Sequence, residues 1–261
     1  MALILTHDDP VELQRCVDAV SAQTRRPDAV VVIDNASSPP AAPAAPPAEP
    51  GWLTVDHLAT NGGPAGGHHA GPSRFRADSR FGLAWVLDDD VVPAPGCLEA
   101  LVAAARQGPV GIRWPVQCHT NASAGQFPGW FGVLIPRAVV DRVGTPNPDL
   151  FWWTEDTEYL QWRIPRAGFS STVVDGAVVE HTGRRSGPRP DWKLYYEARN
   201  TVVYRVRTQH LRHPLKLIRI LAVLSVRAAI DGPGRDRRLR LLAAAVADGA
   251  RGRLGRRAGL P

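Results

Sequence analysis

Cysteine is scarce in this chain of 261 residues, and the three present (Cys16, Cys97, Cys118) are far apart and odd in number. That excludes a disulfide framework and a CxxC metal site, and points to a reducing compartment. Lysine is rarer still: apart from Lys193 and Lys216, the positive charge is arginine. The first ten residues, MALILTHDDP, lack the basic and apolar regions of a signal peptide. The longest apolar stretch in the C-terminal third, Ile220 to Val226, is closed by Arg219 and Arg227. A spanning helix needs about 20 apolar residues, so this one is expected not to cross a bilayer. Neither GxGxxG after a strand nor GKS/GKT occurs, which removes the Rossmann and P-loop fingerprints.

What is present is ordinary globular material, 44% hydrophobic and 21% charged, enough for one large α/β domain or a domain plus a tail. Charge is unevenly placed. Arg205 to Pro261 holds 14 Lys and Arg against 3 Asp, whereas the first 204 residues hold 17 against 22 acids. A mildly acidic body thus carries a strongly basic, anion-seeking end.

Ala2 to Thr6 reads as a buried strand. Pro10 to Gln23 reads as a helix with Val11, Leu13, Val17 and Val20 on one side, and Ala29 to Ile33 as a second strand. This is a βαβ unit. Pro39 to Pro50, with six prolines, is expected to be an extended surface loop. Trp52 to Val55, Phe81 to Leu87 and Val110 to Trp114 continue the strands, and Gly132 to Ile135 is short and apolar. Pro95 to Gln107 is a helix with Leu98, Leu101 and Val102 apolar, and a further helix is expected from Thr154 through Gly168. Two short strands, Ser171 to Val174 and Ala177 to Glu180, precede a helical end beyond Asp191. The alternation predicts an open, mostly parallel α/β sheet, with ligands bound outside the carboxyl ends of its strands.

Asp88-Asp89-Asp90 closes a buried strand, and three adjacent carboxylates need a cation or a proton. Oxygen ligands favour Mg²⁺ or Mn²⁺. Alternation along the strand lets Asp88 and Asp90 share an ion while Asp89 faces elsewhere; a solvated turn before Pro93 is the other reading. Asp34 at the end of AVVVID suits a ribose or base, or an Asx turn. The run Asn61 to Gly71 (NGGPAGGHHAG) permits close approach of backbone to a ligand, or is a flexible loop leading into a short helix. FWWTEDTEY, Phe151 to Tyr159, sets Glu155 and Asp156 beside aromatics. That is a platform for a sugar with a tunable general base, or macrodipole pairing above core aromatics. His181 in VVEHTGRR is a structural histidine or a metal ligand; His68, His69 and His119 read as surface or packing residues. Beyond Pro214, Leu215, Leu217, Ile218, Leu221 and Leu224, then Leu239, Leu241, Leu242 and Val246, alternate with arginines. Basic amphipathic helices of this kind lie on anionic membranes, or pack on the body. No nucleic-acid motif accompanies the charge.

Together, ILTHDDPVELQRCVDAVSAQTRRPDAVVVIDNAS, TNGGPAGG, GLAWVLDDD, WTEDTEYLQWRI and VVEHTGRR resemble the ordered motifs of family 2 glycosyltransferases with a GT-A fold. Within that family the chain resembles bacterial transferases that add galactofuranose or rhamnose to cell-envelope glycans, often on lipid-linked acceptors. The resemblance covers residues 2–204, leaving 205–261 as a basic helical tail. It implies that Thr6, Asp34, Asn61, Gly63, Asp88 and Asp89 contact a nucleotide-diphosphate sugar. It implies further that Asp88, Asp90 and His181 hold a divalent cation (Mn²⁺ or Mg²⁺), and that Asp156 is the general base of an inverting transfer. Trp130, Trp153 and Glu155 are expected on the acceptor side, with a glycan or polyprenyl-linked acceptor. The expected location is cytoplasmic, peripheral on the inner face of the cell membrane, with the tail on anionic lipid.

Three departures from the family are visible. His69 stands where relatives often carry Asn, the Ala-Pro segment replaces a shorter loop, and Gln161-Trp162-Arg163 is not the QxxRW of processive synthases. A single-addition or short-run enzyme is therefore expected. A sugar nucleotidyltransferase and a non-catalytic membrane adaptor are the alternatives, and the Glu155-Asp156 pair beside aromatics favours sugar transfer.

Overall fold

The computed structural model describes residues 1–45, 51–119, 127–182, 190–230 and 234–260. Strands β1 (Ala2–Thr6), β2 (Val30–Asp34), β3 (Leu53–His57) and β4 (Leu83–Asp88) are parallel, in the order β3-β2-β1-β4. Side chains alternate along a strand, so Ala2 and Ile4 enter one core while Leu3 enters the other. A sheet apolar on both faces needs helices on both. Helix α1 (Pro10–Ser21) covers the first face with Leu13, Cys16, Val17 and Val20. Asp9 caps it, accepting from Glu12 N at 3.2 Å, with Pro10 opening the first turn. Val11 of the periodic reading lies in that first turn and is 67% exposed.

The glycine-rich run is itself helical, the beginning of α2 (Gly63–Ala77), not a loop in front of it. Gly63 has φ +67°, and a Cβ there would collide with the Phe151 carbonyl; one on Gly67 would collide with Leu5. Glycine is what allows α2 to press against β1 and the Phe151 loop.

After β4, the short β5 (Val91–Pro93) leads to α3 (Cys97–Gln107), whose Leu98, Leu101 and Val102 join α1 on the first face. β6 (Gly111–His119) and β7 (Phe131–Pro136) follow, then α4 (Arg137–Val143). The helix expected from Thr154 to Gly168 is broken. α5 (Glu155–Glu158) passes into a π-helical turn, Tyr159–Arg163, and ends in α6 (Ile164–Arg166). Pro165 has no N–H to donate, and Ile164 N–H reaches back five residues to Tyr159 O. β8 (Ser170–His181) is one strand where two were expected, because Asp175 to Ala177 bulge out between the pairs Pro115–Val174 and Val116–Val178. The eight strands run β3-β2-β1-β4-β7-β6-β8-β5, with β5 and β7 opposed to the rest.

The C-terminal region folds onto the body. α7 (Asp191–Val202) continues through a π-helical turn, Val203–Thr208, into α8 (Pro214–Ile230) and α9 (Arg235–Arg251). Tyr195 and Tyr196 of α7, Leu224 and Ala228 of α8, and Leu242 and Ala245 of α9 form a third core together with Phe151. Among the described residues no helix is long and apolar enough to cross a membrane.

Candidate active site

The carboxyl ends of β1 and β4 open into a cleft of about 650 Å³. Thr6, Asn61, Gly63, Asp88, Asp89, Asp90, Trp130, Trp153, Glu155 and Asp156 all line it. Sheet order explains the convergence, since β1 and β4 are neighbours and β7 brings Trp130 beside β4, with Asp88 N donating to Trp130 O at 2.9 Å.

The three aspartates turn to three different partners. Asp88 Oδ1 lies 2.9 Å from His68 Nε2, Asp89 accepts from the Thr6 hydroxyl at 2.6 Å, and Asp90 Oδ2 lies 3.1 Å from His181 Nε2. The last contact is set by strand pairing, because β5 lies antiparallel to β8 with Val91 opposite His181. Burial pushes the Asp89 acid up to about 7, and the charges of Asp88 and Asp90 add to that against the Thr6 bond. Among the described residues no three His, Cys, Asp or Glu side chains are grouped for a metal ion. The donor chemistry nonetheless fits a hard divalent cation. Asp90 and His181 pair a carboxylate with an imidazole at ligand spacing, both partly exposed, and phosphate oxygens of a ligand would complete the shell.

Across the cleft, Glu155 and Asp156 open α5. Glu155 is buried with Oε2 lacking a hydrogen-bond partner, and desolvation followed by the charge of Asp156 pushes its acid upward. Asp156 is pushed up too, by desolvation, against bonds from the Thr157 N–H and hydroxyl. Burial and the repulsion between neighbouring carboxylates both favour retaining a proton in such a pair. The backbone leading to it is left-handed at Phe151 (φ +61°), Trp153 (φ +72°) and Thr154 (φ +80°). Strain of that order costs about 1–3 kcal/mol per residue and persists only where its surroundings enforce it. The enforcing groups are on α7. Asn200 Nδ2 donates to the carbonyls of Leu150, Trp152 and Trp153, each at 2.8 Å, and Arg199 donates to Leu150 O at 2.8 Å.

Residues 2–128 match the family described as Glycosyl transferase family 2. That stretch is thus similar to a family 2 glycosyltransferase domain. The chain is similar to galactofuranosyltransferase GlfT2 of Mycolicibacterium smegmatis, 31% identical over 78 residues that make up 30% of this chain and 12% of GlfT2. It is also similar to galactofuranosyltransferase GlfT1 of Mycobacterium tuberculosis, 26% identical with 70% of each chain covered. The chain thus spans only a small part of GlfT2 and about two thirds of GlfT1. Among solved structures, mannosyltransferase PcManGT of Pyrobaculum calidifontis, in complex with GDP-Man and Mn²⁺, matches with a TM-score of 0.58. The identity is 16%, over 96% of this chain and 74% of that one. The fold is GT-A.

Two of the expected site residues are placed differently from the sequence reading. Asp34 does not line the cleft. Its buried carboxylate accepts from Ser37 N at 2.9 Å and Ala41 N at 3.0 Å, and lies 2.7 Å from His57 Nδ1. Burial alone would raise its pKa, but these bonds outweigh it and hold the group at about 2. It is the Asx-turn alternative, tying down the start of the Ala-Pro segment. The adjacent Asn35 lines the cleft instead, donating to Asn61 Oδ1 at 3.2 Å and Gly63 O at 3.1 Å. Trp130, expected as an exposed aromatic, is 3% exposed and lies flat under His68, with ring centroids 4.2 Å apart. Trp153 is exposed at 43% and stacks on Trp152 at 5.1 Å. His181 stands beside the cleft, its ring edge-on to Phe131, which does line it.

The sequence reading missed His68, a buried histidine at the heart of the site, and the cleft's C-terminal wall of Trp192, Lys193 and Arg256. Its signal for His68 was weak, since only the sheet brings residue 68 against residue 88. Arg184 and Arg185, flanking His181 in sequence, lie outside the described residues.

Proposed function

We propose that this chain transfers a sugar from a nucleoside-diphosphate sugar to an acceptor hydroxyl with inversion at the anomeric carbon. The observation that carries the reading is the pairing of strand-end carboxylates, Asp88 and Asp90, with the buried Glu155 and half-buried Asp156 in one aromatic-walled cleft. Asp156 takes the acceptor's proton while the acceptor oxygen attacks the anomeric carbon. The bond to the diphosphate breaks on the opposite face, and the nucleoside diphosphate leaves with the electron pair. Base assistance of this kind is worth roughly 10²–10⁴ in rate. Burial raises both acids, and the neighbouring charge of Asp156 further favours the protonated form of Glu155. Asp90 and His181, with Asp88 beside them, would hold a divalent cation, which when bound neutralises the departing diphosphate. Thr6, Asn61 and Gly63 bound the donor's side of the cleft, and Trp153 offers the acceptor a flat apolar face.

The named activity of GlfT1 and GlfT2 makes a galactofuranosyl donor the first to examine, with a cell-envelope glycan as the acceptor that the motif resemblance implies. PcManGT, crystallised with Mn²⁺, makes that ion the first to supply.

The tail divides in two on this reading. α9 buries Leu242 and Ala245 against α7, whereas α8 exposes Leu215, Ile218, Val223, Val226 and Ile230 at 45–79%. Lys216, Arg219 and Arg227 are interleaved with that stripe. An apolar face edged with cations matches an anionic lipid surface, each cation contributing about 1 kcal/mol. We therefore place the enzyme on the inner face of the cell membrane, docked through α8, where a lipid-linked acceptor would meet the cleft.

Thermal shift with nucleoside diphosphates and their sugar conjugates, with and without Mn²⁺, tests the reading. Ligand at 100 times its Kd stabilises by about 2.7 kcal/mol, several degrees for a chain of this size at roughly 2–4 °C per kcal/mol. A metal-dependent shift restricted to one nucleotide is the expected result; a folded sample unmoved by any nucleotide contradicts it.

A further inference from the structure

The cleft is rich in carboxylates, yet the ligand proposed for it is an anion. Among its described lining residues, two carry a permanent positive charge, Lys193 and Arg256, and both come from beyond β8. Lys193 lies in the first turn of α7, its ammonium 5.2 Å from the Trp152 ring and 5.5 Å from that of Trp192.

Arg256 is positioned by a strap that follows α9. On its N-terminal side, Gly255 N donates to Asp149 O at 2.6 Å and Gly255 O accepts from the buried Arg199. On its C-terminal side, Arg257 N donates to the Tyr196 hydroxyl at 3.0 Å, and the Arg257 guanidinium donates to Asp248 at 3.0 Å. Arg253 N closes onto Asp248 O at 2.9 Å, which ties the strap's start to the end of α9. Both neighbours of Arg256 are thus fixed while its side chain is left exposed at the mouth of the cleft. Its guanidinium lies 5.9 Å from the ring of Phe151, the residue that begins the strained loop to Glu155.

We propose that Lys193 and Arg256 form a phosphoryl-binding subsite at the cleft mouth, brought there by α7 and the C-terminal strap. A guanidinium can bind two phosphate oxygens at once, and an ammonium adds a point charge. The inference deepens the transferase reading and rests on it. Two ligands share the chemistry: the donor's diphosphate, and a phosphate linking an acceptor to its carrier. It also gives the basic C-terminal end a function inside the active site, besides any contact with lipid.

The test compares the full-length protein with Arg256→Gln, Arg256→Lys and Lys193→Gln. Calorimetric titration uses inorganic pyrophosphate, UDP and GDP; kinetics uses a glycosyl phosphate acceptor and the same glycan without phosphate. Losing a charge-assisted contact should cost at least roughly tenfold in affinity, with Arg256→Lys recovering part of the loss. Weaker pyrophosphate and nucleotide binding assigns the subsite to the donor. Unchanged nucleotide binding, with KM raised at least roughly tenfold for the phosphorylated acceptor alone, assigns it to the acceptor. If both glutamine variants, with melting temperatures intact, match the parent in every arm, the inference is overturned. Failure of the parent protein itself to bind nucleotide or transfer sugar would instead overturn the transferase reading.

Discussion

His68 Nε2 holds Asp88 at 2.9 Å while the histidine ring lies flat on Trp130, 15° from parallel. One carboxylate oxygen of the strand-end aspartate is thereby fixed by a residue of α2, and its orientation in the cleft is set before any ligand arrives. His68 Nδ1 is buried and has no hydrogen-bond partner. The contact with Asp88 is thus made through Nε2 alone.

Substituting His68→Phe keeps the stacking on Trp130 and removes the bond to Asp88. The apparent affinity for the divalent cation in the presence of donor should fall roughly tenfold, the scale of a lost supporting contact around a metal ligand. Metal titration of initial rates measures this, and an unchanged metal dependence would remove His68 from the role.

Asn200→Ala removes the amide that holds the carbonyls of Leu150, Trp152 and Trp153. Unsatisfied buried acceptors cost about 1–3 kcal/mol, and the left-handed residues Trp153 and Thr154 lose the clamp that enforces them. Denaturant unfolding should show that loss. In the folded fraction kcat should drop, since Glu155 and Asp156 follow directly in sequence.

Glu155 carries a stability signature in pH. Its acid is raised on folding by burial and by Asp156, so the native state binds its proton more tightly than the unfolded chain does. Stability from this group is full below its unfolded pKa of about 4.3. It is lost as pH climbs from there until Glu155 titrates in the folded state. Glu155→Gln, which mimics the protonated acid, should therefore gain melting temperature over the parent progressively above about pH 4.3, then level off. A gap that shrinks with rising pH would show the opposite shift. Turnover near neutral pH should survive this substitution.

Ile218→Asp combined with Val226→Asp puts charge into the exposed stripe of α8. Surface changes of this kind usually alter stability by within about 0.5 kcal/mol each. Sedimentation with anionic vesicles should nevertheless drop sharply, while sedimentation with neutral vesicles is weak for both proteins. Equal binding of parent and variant to anionic vesicles would take α8 off the membrane.

The parallel half of the fold was legible because its strands are continuous apolar runs ending in acids, and a parallel sheet brings those ends together. Thr6 and Asp88 to Asp90 reach the cleft for that reason. What escaped the sequence depends on contacts distant along the chain. The glycines at 63 and 67 read as a flexible run, and only the closeness of Leu5 and Phe151 shows them as packing residues of a helix. Trp130 read as an exposed aromatic because nothing nearby in sequence says that His68 covers it. Asp34 and Asp88 look alike as strand-end acids. The turn closed by Ser37 and Ala41 consumes the first, whereas the second faces the cleft. The apolar periods of α8 and α9 are similar, and only their packing on Tyr195, Tyr196 and Ala198 separates a half-exposed helix from a buttress.

Sugar transfer with Asp156 as base is tested most directly by following both products of one reaction in the parent and in Asp156→Asn. The mixture contains a nucleotide-sugar donor, Mn²⁺ and a glycan acceptor. The parent should release nucleoside diphosphate in step with glycosylated acceptor. The variant should retain donor binding while kcat falls at least roughly 100-fold. Release of pyrophosphate, or turnover by Asp156→Asn within about tenfold of the parent, would contradict it.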